Sequence, residues 1–362
     1  MEIDLTVLLE TRTRRGRGAR SNVSGRFEKV VSEAFDDGWE TLGDEAPRRT
    51  EVLEETARSI ITRNTSPDIS FDRSINPYRG CEHGCIYCYA RPNHAYAGLS
   101  PGLDFETKLF AKTNAAQQLE AELAKPGYSP ATIALGAVTD PYQPIERDHR
   151  LSRAVLEVLD ACNHPVGIVT KSAGVLRDID ILSRMAERQL VKVAVSITSL
   201  DRRVARAMEP RAATPERRLE TVRVLADAGV PVTVMTAPLI PSLNDHEVER
   251  LLEAAHDAGA HTAAYVLLRL PHEIKTLFRE WLVSEFPDRA DRVLALLREM
   301  RGGKDYDATW GGRKTGQGPY AQQLAQRYRL ALRRLGLNRE PVRLRCDLFE
   351  PPVRVGDQMR FL

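Results

Sequence analysis

From about residue 70 the chain alternates short β-branched or apolar runs with stretches whose apolar residues recur three and four apart, and this alternation restricts the fold more than any other feature. Strands are predicted at 71–76, 131–138, 166–170, 191–198, 232–237 and 262–268, several of them almost uninterrupted apolar runs, as in a sheet covered on both faces. Crossover helices are predicted at 112–123, 152–162, 175–188, 215–228 and 245–258. Thr214 followed by Pro215 reads as an N-cap with proline in the first turn, and Gly229 after LADA reads as a helix C-terminus. The predicted class is therefore α/β, a partial (β/α)6 TIM-type barrel whose reactive groups gather at the C-terminal ends of the strands. Flanking it are an N-terminal extension over 1–65 with an Arg-rich arm, the barrel proper over 66–287, and a C-terminal helical cap over 288–362, with helices near 288–300 and 319–335.

Composition narrows the setting. With 42% apolar and 28% charged residues, and no apolar stretch long enough to span a bilayer, a membrane protein is not expected. The start MEIDLTVLLE mixes its apolar cluster with acidic residues and carries no cleavage site, so a cytoplasmic location is expected. The 52 basic and 50 acidic residues nearly cancel, so any attraction to nucleic acid must be local. The local candidate is 11–26, with six Arg among Gly and Ser and no apolar periodicity, which predicts a flexible arm. Such an arm either contacts a phosphate backbone or is a solvated tail.

Of five cysteines, three fall within eight residues, in NPYRGCEHGCIYCYARP. That clustering, in the loop after the first predicted strand, reads as ligation of a soft metal centre by Cys81, Cys85 and Cys88. Three thiolates are one donor short of a closed structural zinc site, leaving two readings. One is a zinc knob completed by His83 or His94; the other is an iron–sulfur cluster with one iron left open. Cys162, on a predicted helix, reads as a core thiol, and Cys346 approaches the barrel mouth only if the C-terminal segment folds back.

The CxxxCxxC spacing, with the aromatic Tyr87 before the last cysteine, resembles the radical S-adenosylmethionine superfamily. The resemblance implies a 4Fe–4S cluster on the three cysteines, S-adenosylmethionine at the open iron with Tyr87 at the cofactor site, and an external electron donor such as flavodoxin or ferredoxin. It also implies reductive cleavage to a 5′-deoxyadenosyl radical that abstracts a substrate hydrogen. A lid drawn from residues 300–362 would exclude water and oxygen.

Residues predicted at the strand ends fill in the rim. After the second strand come Thr139, Asp140, Tyr142, Gln143 and Glu146; Asp140 is either functional or the cap of an Asx turn, and Tyr142 either relays a hydrogen atom or packs over the loop. Lys171 and Ser172 follow the third strand, where the lysine meets a ligand carboxylate or pairs with Asp140 or Asp178. Ser196 and Thr198 follow the fourth and either bond ribose hydroxyls or pack across strands. Arg211 either forks onto a carboxylate or braces its loop against Glu209 or Glu216.

The segments VTD, TKS and VSI at successive strand ends resemble the rim of the spore photoproduct lyase group, which implies contacts from Thr139, Lys171 and Ser196 to S-adenosylmethionine. SINPYRGCEHGCIYCYARP with TDPYQPIE, TKSAGVLRDIDIL, EPRAATPERRL and LLRLP is similar, over nearly the whole chain, to lyase-like bacterial proteins often labelled DNA repair photolyases. One departure stands out: where those lyases carry a hydrogen-donating cysteine, this chain has Ala137. The resulting expectation is a radical enzyme, on nucleic acid or alternatively on a peptide or small metabolite, with a non-catalytic zinc-binding module as the third reading.

Overall fold

The computed structural model describes residues 16–28 and 49–352. Among the described residues ten strands run in chain order: β1 (Glu51–Glu55), β2 (Ile61–Arg63), β3 (Arg73–Ile75), β4 (Tyr78–Arg79), β5 (Lys108–Lys112), β6 (Ile133–Leu135), β7 (Val166–Thr170), β8 (Val191–Ser196), β9 (Val232–Leu239) and β10 (Thr262–Leu267). The main helices are α1 (Ala115–Leu123), α2 (Leu151–Ala161), α3 (Ile179–Glu187), α4 (Arg202–Met208), α5 (Pro215–Asp227), α6 (Val248–Asp257), α7 (Ile274–Glu285), α8 (Pro287–Glu299) and α9 (Gly318–Leu335).

The seven-stranded sheet has the order β10-β9-β8-β7-β6-β3-β2. From β3 to β10 every pairing is parallel, and only β2 runs antiparallel, along β3. The six parallel strands are the six predicted, so the partial barrel stands, with β2 from the N-terminal extension added at one edge. Along β7, β8 and β9 buried residues alternate with half-buried ones. Val166, Ile168, Val191, Val193, Val232 and Val234 are buried in the main core, while Gly167, Val169, Lys192, Ala194, Thr233 and Met235 between them are half-buried. That period of two, rather than burial on both faces, is what an open barrel with an internal space requires.

A second sheet, β1-β5-β4, braces the cysteine loop from both sides, since β4 enters it and β5 leaves it. Neither β1 nor β5 was legible in the sequence, because a short strand such as KLFAK carries too few residues to establish a period.

The helices predicted near 288–300 and 319–335 are present as α8 and α9. Helix α9 lies along the outside of the barrel beside α6, with Ala321, Leu324, Tyr328 and Ala331 in the main core, and so completes the outer layer. The segment after it crosses the N-terminal ends of the strands: Asn338 bridges to Thr262, the Arg345 amide donates to Gln189, Lys192 donates to Val342 and the Glu350 amide donates to Cys162. Cys346 is therefore at the end opposite the expected mouth, and Cys162 is a buried core thiol. It is α7, unpredicted, that packs with α8 against the cysteine loop: Ile274, Phe278 and Trp281 share one core with Cys85, Ile86 and Tyr87.

The flexible arm is corrected. Arg12, Arg14 and Arg15 lie outside the described residues, but 16–28 run over the protein, with Ala19 fully buried, Arg20 paired with Glu285, Ser21 bonded to Glu280 at 2.6 Å and Arg26 paired with Glu273 at 3.2 Å. Polar composition misled because the partners are half-buried carboxylates distant in sequence. Among the described residues no helix is long and apolar enough to cross a membrane.

Candidate active site

The loop after β4 carries Cys81 and Cys85 buried and Cys88 half-buried. Its turns close through hydrogen bonds from Gly84 N–H to the Cys81 carbonyl (3.3 Å) and from Cys88 N–H to the Cys85 carbonyl (3.2 Å). Burial, then the charges of Asp140 and the other two thiols, pushes the Cys81 thiol well up. Burial likewise pushes Cys85 up to about 12, with Glu209 and Cys88 adding to it and Lys171 opposing. Metal ligation would release these protons. Among the described residues no three Cys, His, Asp or Glu side chains converge on a single-ion site. His83 faces Asp140 at 3.3 Å and His94 bonds the Lys108 carbonyl at 3.0 Å.

The rim residues fall into two sets. Asp140 knits strand ends together: it accepts from the Thr170 hydroxyl at 2.7 Å, the Lys171 amide at 2.7 Å and the Tyr142 amide at 2.9 Å. Burial raises its carboxyl, but His83, the Lys171 amide and Thr170 outweigh that and lower it to about 2. The Thr139 hydroxyl is likewise committed, donating to the Tyr78 carbonyl at 3.0 Å. Tyr142 is buried and donates to Asp178 at 3.0 Å beside Arg177, and this braces α2 and α3 rather than facing the thiols. Gln143 clamps the cysteine loop, accepting from the Glu82 amide at 2.8 Å and donating to the Gly80 carbonyl at 3.2 Å. Arg211 pairs with Glu82 at 2.8 Å, not with either glutamate expected from the sequence.

The second set keeps its polar groups available. The Lys171 ammonium lies 5.8 Å from the centre of the Tyr87 ring and has no ion-pair partner among the described residues. Burial works against its charge, yet Cys85, Glu209 and Asp140 together raise its affinity for the proton. Ser196, at the end of β8, is buried with its carbonyl held by Arg218 at 3.0 Å. Two residues on, the buried Thr198 hydroxyl has no hydrogen-bond partner among the described residues, a costly state that a bound polar ligand relieves. Two buried thiols and a half-buried one, with a cation and an orphaned hydroxyl at the strand ends, fit a 4Fe–4S cluster with S-adenosylmethionine.

Sequence reasoning missed Arg218, Arg91 and Glu106, which help hold this set in place. Tyr87 donates to Glu209, which pairs with the buried Arg218. Arg91, also fully buried, donates to the Cys85 carbonyl at 2.8 Å and the Gly84 carbonyl at 3.0 Å and pairs with Glu106 at 2.5 Å. An arginine three residues after the last cysteine was the one available signal; nothing in LDFETK marks Glu106.

Beside Cys88 the Tyr89 hydroxyl donates to the Ala137 carbonyl, and its ring borders a cleft of about 510 Å³. Tyr96, Arg269, His272, Lys275 and Tyr306 also line it, and among the described residues its lining includes no carboxylate.

A protein of Mycobacterium tuberculosis described as uncharacterized is 36% identical over 232 residues, 64% of this chain and 68% of that one. An uncharacterized protein of Methanocaldococcus jannaschii is 27% identical over 55% of this chain and 71% of its own. The fold is similar to that of spore photoproduct lyase complexed with dinucleoside spore photoproduct, with a TM-score of 0.56 at 16% identity, covering 78% of this chain and 79% of that one. The Radical SAM superfamily matches residues 75–255, half of the chain and the span from β3 to α6 that carries the cysteine loop and the rim, and the chain belongs to that superfamily.

Proposed function

We propose that Cys81, Cys85 and Cys88 hold a 4Fe–4S cluster and that the enzyme turns S-adenosylmethionine chemistry on a nucleic-acid substrate. When bound, these cofactors supply a 5′-deoxyadenosyl radical able to abstract an unactivated hydrogen. The chain's own residues do the placing. Lys171 offers an unpaired cation to an anionic group of S-adenosylmethionine, while Ser196 and Thr198 offer hydroxyls to its ribose. Tyr87 closes the wall between the loop and Lys171. Thr139 and Asp140 act one step back, by fixing the strand ends from which those groups project. The electron comes from an external donor such as flavodoxin or ferredoxin.

The observation that supports nucleic acid over a peptide or small metabolite is the cleft bordered by Tyr89, the residue after Cys88. Three tyrosines, Tyr89, Tyr96 and Tyr306, stand among Arg269, His272 and Lys275. Aromatic faces for stacking, interleaved with cations for phosphates, are the arrangement single-stranded nucleic acid binds. Tyr96 is 70% exposed and Tyr89 48%, a large apolar surface for a solvated wall.

The test is anaerobic reconstitution with iron and sulfide, reduction, and measurement of 5′-deoxyadenosine release with and without a single-stranded oligonucleotide. Oligonucleotide-stimulated release is expected, with Tyr96→Ala weakening oligonucleotide binding by about 1–3 kcal/mol, the value of one stacked base. Release that ignores oligonucleotide and responds to a peptide or metabolite instead sinks the substrate assignment.

A further inference from the structure

Residues 17–20 are built into the cysteine loop through one carboxylate. Glu106 is fully buried; its Oε2 accepts from the Gly18 amide at 2.9 Å, and its Oε1 accepts from the Ala19 amide at 2.8 Å and from Arg91 at 2.5 Å. Arg91 then holds the carbonyls of Gly84 and Cys85, one peptide on each side of the second cysteine. Arg17 adds a bond to the Glu106 carbonyl at 2.8 Å. The backbones touch: a Cβ on Gly18 would fall 1.9 Å from the Gly84 carbonyl oxygen, and one on Gly84 would fall 2.7 Å from the Glu106 carboxylate. Gly84 also takes a φ of +67°, open to glycine at no steric cost.

We propose that residues 17–20, acting through Glu106 and Arg91, are a positioning strap for the loop that carries Cys81, Cys85 and Cys88, so that this part of the Arg-rich segment serves the iron–sulfur site. The inference rests on the reading that those cysteines hold the cluster. The carboxylate ties an otherwise separate segment to the arginine that orients the peptides around Cys85, and groups that orient ligands govern retention of a metal centre more than they govern the fold.

The experiment compares native protein with Gly18→Ala, Glu106→Gln and Cys88→Ala, each reconstituted anaerobically and challenged with an iron chelator. Iron release, the electron paramagnetic resonance of the reduced cluster and trypsin cleavage after Arg20 are followed together. Gly18→Ala and Glu106→Gln are expected to release iron about 10- to 100-fold faster, with an altered resonance and faster cleavage, while far-ultraviolet circular dichroism stays native. If Glu106→Gln does not fold, Gly18→Ala decides, since it alters only the fit of strap to loop. Native release rates and resonance in both, beside an iron-free Cys88→Ala, overturn the strap alone. A Cys88→Ala protein that keeps its iron overturns the ligand assignment and the strap with it.

Discussion

Glu209 and Arg218 form an ion pair whose side chains are 0% and 2% exposed, behind Tyr87. Arg218 also donates to the Ser196 carbonyl at 3.0 Å and the Ala213 carbonyl at 2.8 Å. Burial pushes the Glu209 carboxyl up, but Arg218, Lys171 and the Tyr87 hydroxyl outweigh it and bring it below its ordinary value. Arg218→Met leaves that carboxylate buried without its main counter-charge and strips two carbonyls of their donor. Removing one partner of a buried pair costs about 3–5 kcal/mol, and the two lost acceptors place this variant toward the upper end. Glu209→Leu strands Arg218 and the Tyr87 hydroxyl and costs a similar amount. The double variant, Glu209→Leu with Arg218→Met, strands no charge, so its cost falls below the sum of the singles by at least about 2 kcal/mol. Urea unfolding of the four proteins, followed by circular dichroism, measures this directly. Single variants that each cost less than about 1 kcal/mol, as a solvated pair would, or a double variant equal to the sum, refute the reasoning.

Other outcomes follow from the same structure. Burial lowers His94 and His164 from an ordinary 6.5 to about 4. The unfolded chain therefore binds protons between those values while the folded protein does not, and stability rises with pH across that window. Each histidine removes about 2 kcal/mol between pH 8 and pH 5, so His164→Gln should flatten the dependence of the urea midpoint on pH; an unchanged slope counts against it. Lys171→Ala should weaken S-adenosylmethionine binding to the reconstituted protein at least about tenfold, the worth of one charge-assisted hydrogen bond, and equilibrium dialysis giving the native Kd would remove Lys171 from the cofactor site.

Legibility differed by the kind of interaction. Most of the six parallel strands could be read because they are runs of apolar residues, a local pattern, and β7 was bounded to the residue. The cysteine loop could be read because ligand spacing is local as well. Tyr142 looked like a catalytic candidate because its position near a strand end was readable, but the partner that occupies it, Asp178, is 36 residues away. Arg211 erred in the same way: the sequence offered Glu209 and Glu216, and folding supplied Glu82. Glu209 was left free for Arg218 and Tyr87.

The sequence by itself determined the class of the protein: repeated βα units, three thiols set four and three residues apart, and polar residues at the strand ends, all written in short-range pattern. Tertiary structure decided which of those polar groups are free to meet a ligand. Asp140 and Thr139 are consumed in joining strands, whereas Lys171 and Thr198 are left without ion-pair or hydrogen-bond partners among the described residues. It also decided that residues 17–20 pack against the cysteine loop through Glu106 and that α9 joins the barrel wall. A buried charge or amide must find its partner wherever the packed chain brings one, and no local spacing encodes which distant carboxylate that is.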